Sequence, residues 1–122
     1  MAVATSTNLF RKEIADWLEA RLGNATMVFG SGGVDGQGKV ISPDPAQTEL
    51  IRIEGEFALN SFVRKSDTSL VVTGRLNKGA IVGIPISEAG LKVAGSLYAI
   101  RNFASKTFET DEYFDVNIEI KF

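Results

Sequence analysis

Apolar residues recur at helical spacing near the start of the chain and at every second position through much of the rest. In "NLFRKEIADWLEARLG", Phe10, Ile14, Trp17, Leu18 and Leu22 make one stripe, with Arg11, Lys12, Glu13, Asp16, Glu19 and Arg21 around it. That spacing predicts an amphipathic helix over 9–23 whose stripe packs on a core. The polar run Thr5, Ser6, Thr7, Asn8 supplies an N-cap, and Gly23-Asn24 a C-cap. Beyond the helix the period falls to two. "TMVFG" reads as a short strand. "LIRIEGEFALNSFV" places Ile51, Ile53, Phe57, Leu59 and Val63 on one face and Arg52, Glu54 and Glu56 on the other. After a turn at "KSDTS" comes "LVVTGRL", with Leu70, Val72 and Leu76 inward, and "NKG" is a hairpin signal. "AIVGIPI" reads as a strand that Pro85 ends or places at an edge. "GSLYAIRNF" and "YFDVNIEIKF" complete the set, the last alternating cleanly through Phe114, Val116, Ile118, Ile120 and Phe122.

One helix followed by about six strands, without βαβ alternation, predicts an α+β, mainly β fold. The N-terminal amphipathic helix packs on an antiparallel β-sheet or sandwich of about six strands. At 122 residues the chain is read as a single domain, 1–122. It divides into an N-terminal arm (1–8), the helix (9–23) and a β-rich body (25–122) carrying a long loop (31–48). Because the final strand reaches Phe122, the domain is expected to be the whole protein.

Composition removes several kinds of chemistry. With no cysteine and no histidine there is no thiol nucleophile, disulfide, Ser-His-Asp triad or usual zinc ligand. A net charge of −2 offers no basic excess for a nucleic-acid backbone. No apolar run has membrane-spanning length, and the N-terminus lacks the pattern of a secretory signal. Synthesis in a reducing cytoplasm is the expectation. Paired acidic residues remain conceivable as acid–base groups, but Glu54, Glu56, Asp115 and Glu119 fall on outward strand faces. Glu88, in "ISEAGL", lies between apolar residues. It is expected to cap backbone N–H groups or to pair with an arginine, for which Arg101 is the candidate. Tyr98 and Phe103 are expected in the core or on a sheet face.

The loop "GSGGVDGQGKV" holds five of the 12 glycines and reads G-x-x-x-x-G-K from Gly33 to Lys39. A phosphate-binding loop also needs a hydroxyl after the lysine and a helix behind it. Here Val40 follows Lys39, and Pro43 and Pro45 prevent the helix. The glycines miss G-x-G-x-x-G as well, since Asp35 stands at the third place. Asp35 and Asp44 lack cation-loop spacing. No catalytic, cofactor or metal residue is therefore assigned.

Three segments occur in a telling order: "MVFGSGGVDGQG" after the helix, "GIPISEAGL" about fifty residues on, and "GSLYAIRNFASKTFETDEYFDVNIEIKF" at the end. Over roughly residues 27–122 this resembles the tail-collar or tail-fibre N-terminal domains of tailed bacteriophages. The resemblance covers a glycine loop, a proline-rich loop, an "isE-x-GL" motif and a terminal "I-x-F" strand. The chain departs from that pattern at Ser31, where Asp or Thr is common, and at Ala89, where a larger apolar residue is. Members of that family often continue into a fibre shaft; with the domain expected to end at Phe122, receptor binding is not among the expectations. The resemblance implies a structural motif of Gly30, Gly32, Gly33, Glu88, Gly90 and Leu91, either a turn within the fold or part of an inter-subunit contact. It implies a virion component, made in the host cytoplasm. Such a component would work as a homo-oligomer docked to tail, neck or fibre proteins, through the arm (Thr5, Thr7) and the loop (Asp35, Lys39, Asp44). A head decoration or head-fibre base protein is the alternative within virions. A carbohydrate- or peptide-binding module is the alternative of another class, disfavoured because Trp17 is expected to be buried.

Overall fold

The computed structural model describes residues 4–76, 81–109 and 113–122. A helix α1 (Asn8–Glu19) and a single 3-10 turn (Leu22–Asn24) lead into six strands. The strands are β1 (Thr26–Gly30), β2 (Ile53–Ser66), β3 (Ser69–Leu76), β4 (Ile86–Val93), β5 (Ser96–Lys106) and β6 (Phe114–Lys121). They form one sheet of order β5-β4-β1-β2-β3-β6, and every neighbouring pair is antiparallel. The fold is thus α+β and mainly β, with the sheet curled almost into a barrel; a separate pair of facing sheets is not seen. The two ends of the order approach one another, and an Arg101 Nη1 hydrogen bond to the Asn117 carbonyl spans the seam.

The core fills the concave side of the sheet. Met27 and Phe29 of β1, Leu70, Val72 and Leu76 of β3, and Leu91 and Val93 of β4 are buried with Val116 and Ile118 of β6. Leu18 and Leu22 enter the same cluster from the helical segment. Burial of these side chains excludes roughly 1.5–3 kcal/mol each of unfavourable hydration, which is what holds the curled sheet shut. Gly74 of β3 faces β1 at a point where a Cβ would overlap Met27, so the two strands bend together there.

Several expectations need correction. Of the expected stripe on α1 only Leu18 and Leu22 are buried, joined by Ala15; Phe10, Ile14 and Trp17 are 52%, 38% and 46% exposed. At 100° per residue, Ala15, Leu18 and Leu22 share a narrow arc, and the helix meets the sheet along that arc. Its start is fixed by Thr7, whose hydroxyl accepts the Phe10 amide at 3.2 Å, while its end comes at Glu19, before Gly23. On β2, Phe57 and Leu59 pack on the core, but Ile51, Ile53 and Val63 are exposed. Ile51 precedes the strand, and breaks in register opposite Gly30 and between Leu59 and Ser61 shift the alternation. The "NKG" turn lies outside the described residues. Ile81–Pro85 is not a strand; the fourth strand is instead "ISEAGLKV". The segment 88–91, expected as a turn, is fully extended within it. Hairpin β4–β5 turns at Ala94 and Gly95, both with positive φ (51° and 82°).

Candidate functional site

The loop between β1 and β2 is anchored at both ends over the convex side of β1 and β4, while its middle, 35–40 and 42–46, is exposed. Inside it, Val34 and Val40 form a bridge, and Asp35 Oδ1 accepts the amides of Gln37 (2.8 Å) and Lys39 (3.0 Å). Further on, Asp44 Oδ1 accepts the Ala46 amide at 2.9 Å. Short acidic side chains that bond backbone two residues ahead are turn formers. Leu50 is buried beneath the loop's return, where its Cδ2, Leu97 Cδ1 and Val28 Cγ1 converge over Gly90. A Cβ on Gly90 would lie 2.6 Å from Leu97 Cδ1, the end of a side chain that can shift, so the glycine marks a close approach within a strand and not a bend.

The centre of this layer is Glu88, fully buried on β4. Its Oε1 accepts the amides of Gly32 (3.0 Å) and Arg52 (2.8 Å), and its Oε2 accepts the amide of Ile51 (3.1 Å). Beside it the buried Ser87 Oγ accepts the Gly33 amide at 2.9 Å. A break in the β4–β5 register between Ile86 and Glu88 accompanies this pair, letting adjacent residues both serve the loop. The glycines are the other half of the arrangement. A Cβ on Gly33 would overlap the Ser87 carbonyl, and one on Gly30 would lie 2.5 Å from Glu88 Oε1. Both ends of the loop, at Gly32–Gly33 and at Ile51–Arg52, are thereby clasped to one strand.

Of the two roles expected for Glu88, capping backbone N–H groups is the one observed. Arg101 is not its partner. Glu88 stands opposite Asn102 across β4–β5, whereas Arg101 stands opposite Ala89, so the two side chains leave opposite faces of the sheet. Asn102 supports the loop instead, donating from Nδ2 to the Ile41 carbonyl at 2.7 Å. Its buried Oδ1 has no hydrogen-bond partner among the described residues.

Amide N–H groups of a glycine loop converging on paired oxygens make the kind of concavity that holds an anion. Here the protein's own Glu88 supplies those oxygens, and the cradle is full. Among the described residues no group of three acidic side chains comes together to hold a metal ion. The grooves present are shallow: one of about 210 Å³ lies between Pro43, Asp44, Pro45 and Gln47 and the start of β5. A wider one of about 590 Å³ follows the seam past Arg101, Asn117 and Glu119. No described helix is long and apolar enough to cross a membrane.

Several other acidic groups are paired on the surface. Arg75 bonds Asp115 through Nε (2.6 Å) and Nη2 (2.9 Å) and holds its carboxyl below the usual range. Arg64, then Lys12, does the same for Asp16, and the Ser69 hydroxyl, then Lys65, for Glu119. Arg64 also reaches Glu19 and the carbonyls of Ser66 and Asp67, tying α1 to the β2–β3 turn. Of the expected interface residues, Thr7, Asp35 and Asp44 have these local roles, and all five are exposed. No hydrogen bond among the described residues joins Thr5 or Thr7 to the loop.

Composition concealed a second feature. Trp17, expected in the core, stacks with Tyr98 (centroids 6.4 Å apart, planes 12° apart), and the Arg21 guanidinium lies 3.8 Å above the indole. A register break next to Tyr98 turns that residue toward the helix. No protein-family model and no curated protein sequence matches the chain.

Proposed function

We propose that the protein is a non-enzymatic structural component of a tailed-bacteriophage virion: a collar, baseplate or fibre-attachment adaptor working as a symmetric oligomer. One observation supports this reading above others. Two of the segments that carry the resemblance, the glycine loop and "ISEAGL", are far apart in sequence yet form one clasp through Gly32, Gly33, Ser87 and Glu88. Residues that depend on each other in this way explain why a motif would keep both halves in that order. A body stiffened on both sheet faces suits a part that must transmit position, not turn over a substrate. The partners are other virion proteins, met by the arm and by the loop's exposed tip at Asp35, Lys39 and Asp44. The test is mass spectrometry of particles purified from a host that carries the gene. A fixed copy number in intact particles supports the reading; consistent absence overturns it.

A second reading, a carbohydrate-binding module, gains from the exposure of Trp17 and Tyr98, since aromatic platforms bind sugar faces. Against it, Arg21 already covers one face of the indole. A glycan array with the isolated protein separates the two.

A further inference from the structure

We propose that two copies of this chain pair through the outer face of α1, with the helices antiparallel. The inference rests on the reading of the protein as part of a symmetric oligomer and names the surface that would be used. Phe10, Ile14, Trp17 and Arg21 follow spacings of four, three and four, within an arc of about 60° at 100° per residue. That is the seam spacing of helices that pack side by side. None of the three apolar residues is buried in the single chain, and Tyr98 extends the stripe from β5. Trp, Tyr and Arg at the centre of an apolar patch are the residue types that dominate association energies.

The area is adequate for a modest dimer. Four side chains of about 200 Å² each, roughly half exposed, give a patch of about 400 Å² per copy. That doubles to about 800 Å², and a polar rim brings the pair to the low end of specific interfaces, near 1,200 Å².

Charge selects the partner and the direction. Between Asn8 and Leu22, Arg11, Lys12 and Arg21 balance Glu13, Asp16 and Glu19, so the helix carries no excess to draw it to an anionic membrane. Lys12, Asp16 and Glu19 are engaged with one another or with Arg64, while Glu13 and Arg11 form no ion pair among the described residues. An antiparallel pair crossing midway between Ile14 and Trp17 sets Phe10 beside the second copy's Arg21. It also brings each Glu13 to the other copy's Arg21, twice by symmetry. A parallel pair would oppose Glu13 to Glu13. The surface is complementary to itself only when one copy is reversed.

Sedimentation equilibrium of the whole protein reads this directly, with a dimer forming over roughly 10–100 µM. Ile14→Glu, at an exposed position, should weaken the dimer by more than about 100-fold with an unchanged circular dichroism spectrum. Glu13→Arg and Arg21→Glu should each weaken it by roughly 3–10-fold, and the double variant should restore it. A monomer up to about 1 mM overturns the inference. So does an oligomer indifferent to Ile14→Glu, or a charge pair that shows no rescue. Binding of the monomer to phosphatidylcholine–phosphatidylglycerol vesicles or to glycans, lost in Ile14→Glu, would also overturn it by naming another occupant. Whether the protein is in the particle is decided separately by mass spectrometry, so the two failures are distinguishable.

Discussion

Replacing Gly33 by alanine should be among the most damaging single-methyl additions in this protein, and replacing Gly36, three residues away in the same loop, should be harmless. The Gly33 Cβ would overlap the Ser87 carbonyl and press on its carbon at 2.7 Å, both atoms of a central strand that cannot yield. Overpacking of this kind costs about 1–3 kcal/mol. The loop must also draw away from Ser87 Oγ, leaving the Gly33 amide and a buried hydroxyl without each other, for about 1 kcal/mol more. The sum is about 2–4 kcal/mol. At Gly36 nothing lies within 4 Å of the added methyl, so the effect should stay within about 0.5 kcal/mol. Urea unfolding followed by circular dichroism suits the comparison. With a slope of about 1.5–2 kcal/mol per molar for a chain of this size, the Gly33→Ala midpoint should fall by about 1–2.7 M. Its thermal midpoint should fall by about 10 °C. Equal midpoints for the two variants would refute the claim that the loop is seated on β4.

Glu88→Gln keeps one acceptor but turns an NH₂ group toward donors, so it should cost about 1–3 kcal/mol, read as a lower urea midpoint. Ala94→Gly should raise stability by about 0.5–1 kcal/mol, because Ala94 holds a φ of 51° that glycine adopts without strain; differential scanning calorimetry checks this. Arg64→Ala should speed hydrogen exchange along α1 more than in β1, since it removes the tie from the helix to the β2–β3 turn. Asp16, Asp115 and Glu119 have depressed folded pKa values, so their contribution is whole above the ordinary carboxylate range and fades as pH falls below about 4. Urea midpoints measured from pH 7 to pH 2 should decline in that acid window, and Arg75→Ala should remove the Asp115 share of the decline.

The strands that alternate in sequence are those with one face in water. β3 and β6 bury every second residue, and their pattern led directly to their position. β1 and β4 are covered on both faces, by the core on one side and the glycine loop on the other, so period two disappears. In β4 the buried polar pair Ser87-Glu88 and the glycine imitated a turn. The real turn, Ala94-Gly95, carried no asparagine or aspartate to announce it. Glu88's capping role was legible from its apolar setting, but not which amides it would hold, because those lie 36–56 residues away. The helix misled for another reason: its sequence has two apolar arcs, and only packing decides that Ala15, Leu18 and Leu22 go inward. Trp17 was assigned to the core because it lies on the apolar stripe of the helix. It stacks with Tyr98 and Arg21 instead and stays 46% exposed.

Native-state hydrogen exchange by NMR tests the central claim most directly, that the glycine loop is a clasp closed on Glu88 and Ser87. The amides of Gly32, Gly33, Ile51 and Arg52 should exchange as slowly as those of β1, although they lie outside the strands. They should stay unmoved when inorganic phosphate is added, and should exchange faster in Glu88→Gln. Fast exchange at these four amides in the wild-type protein, or chemical shifts that follow added phosphate, would contradict it.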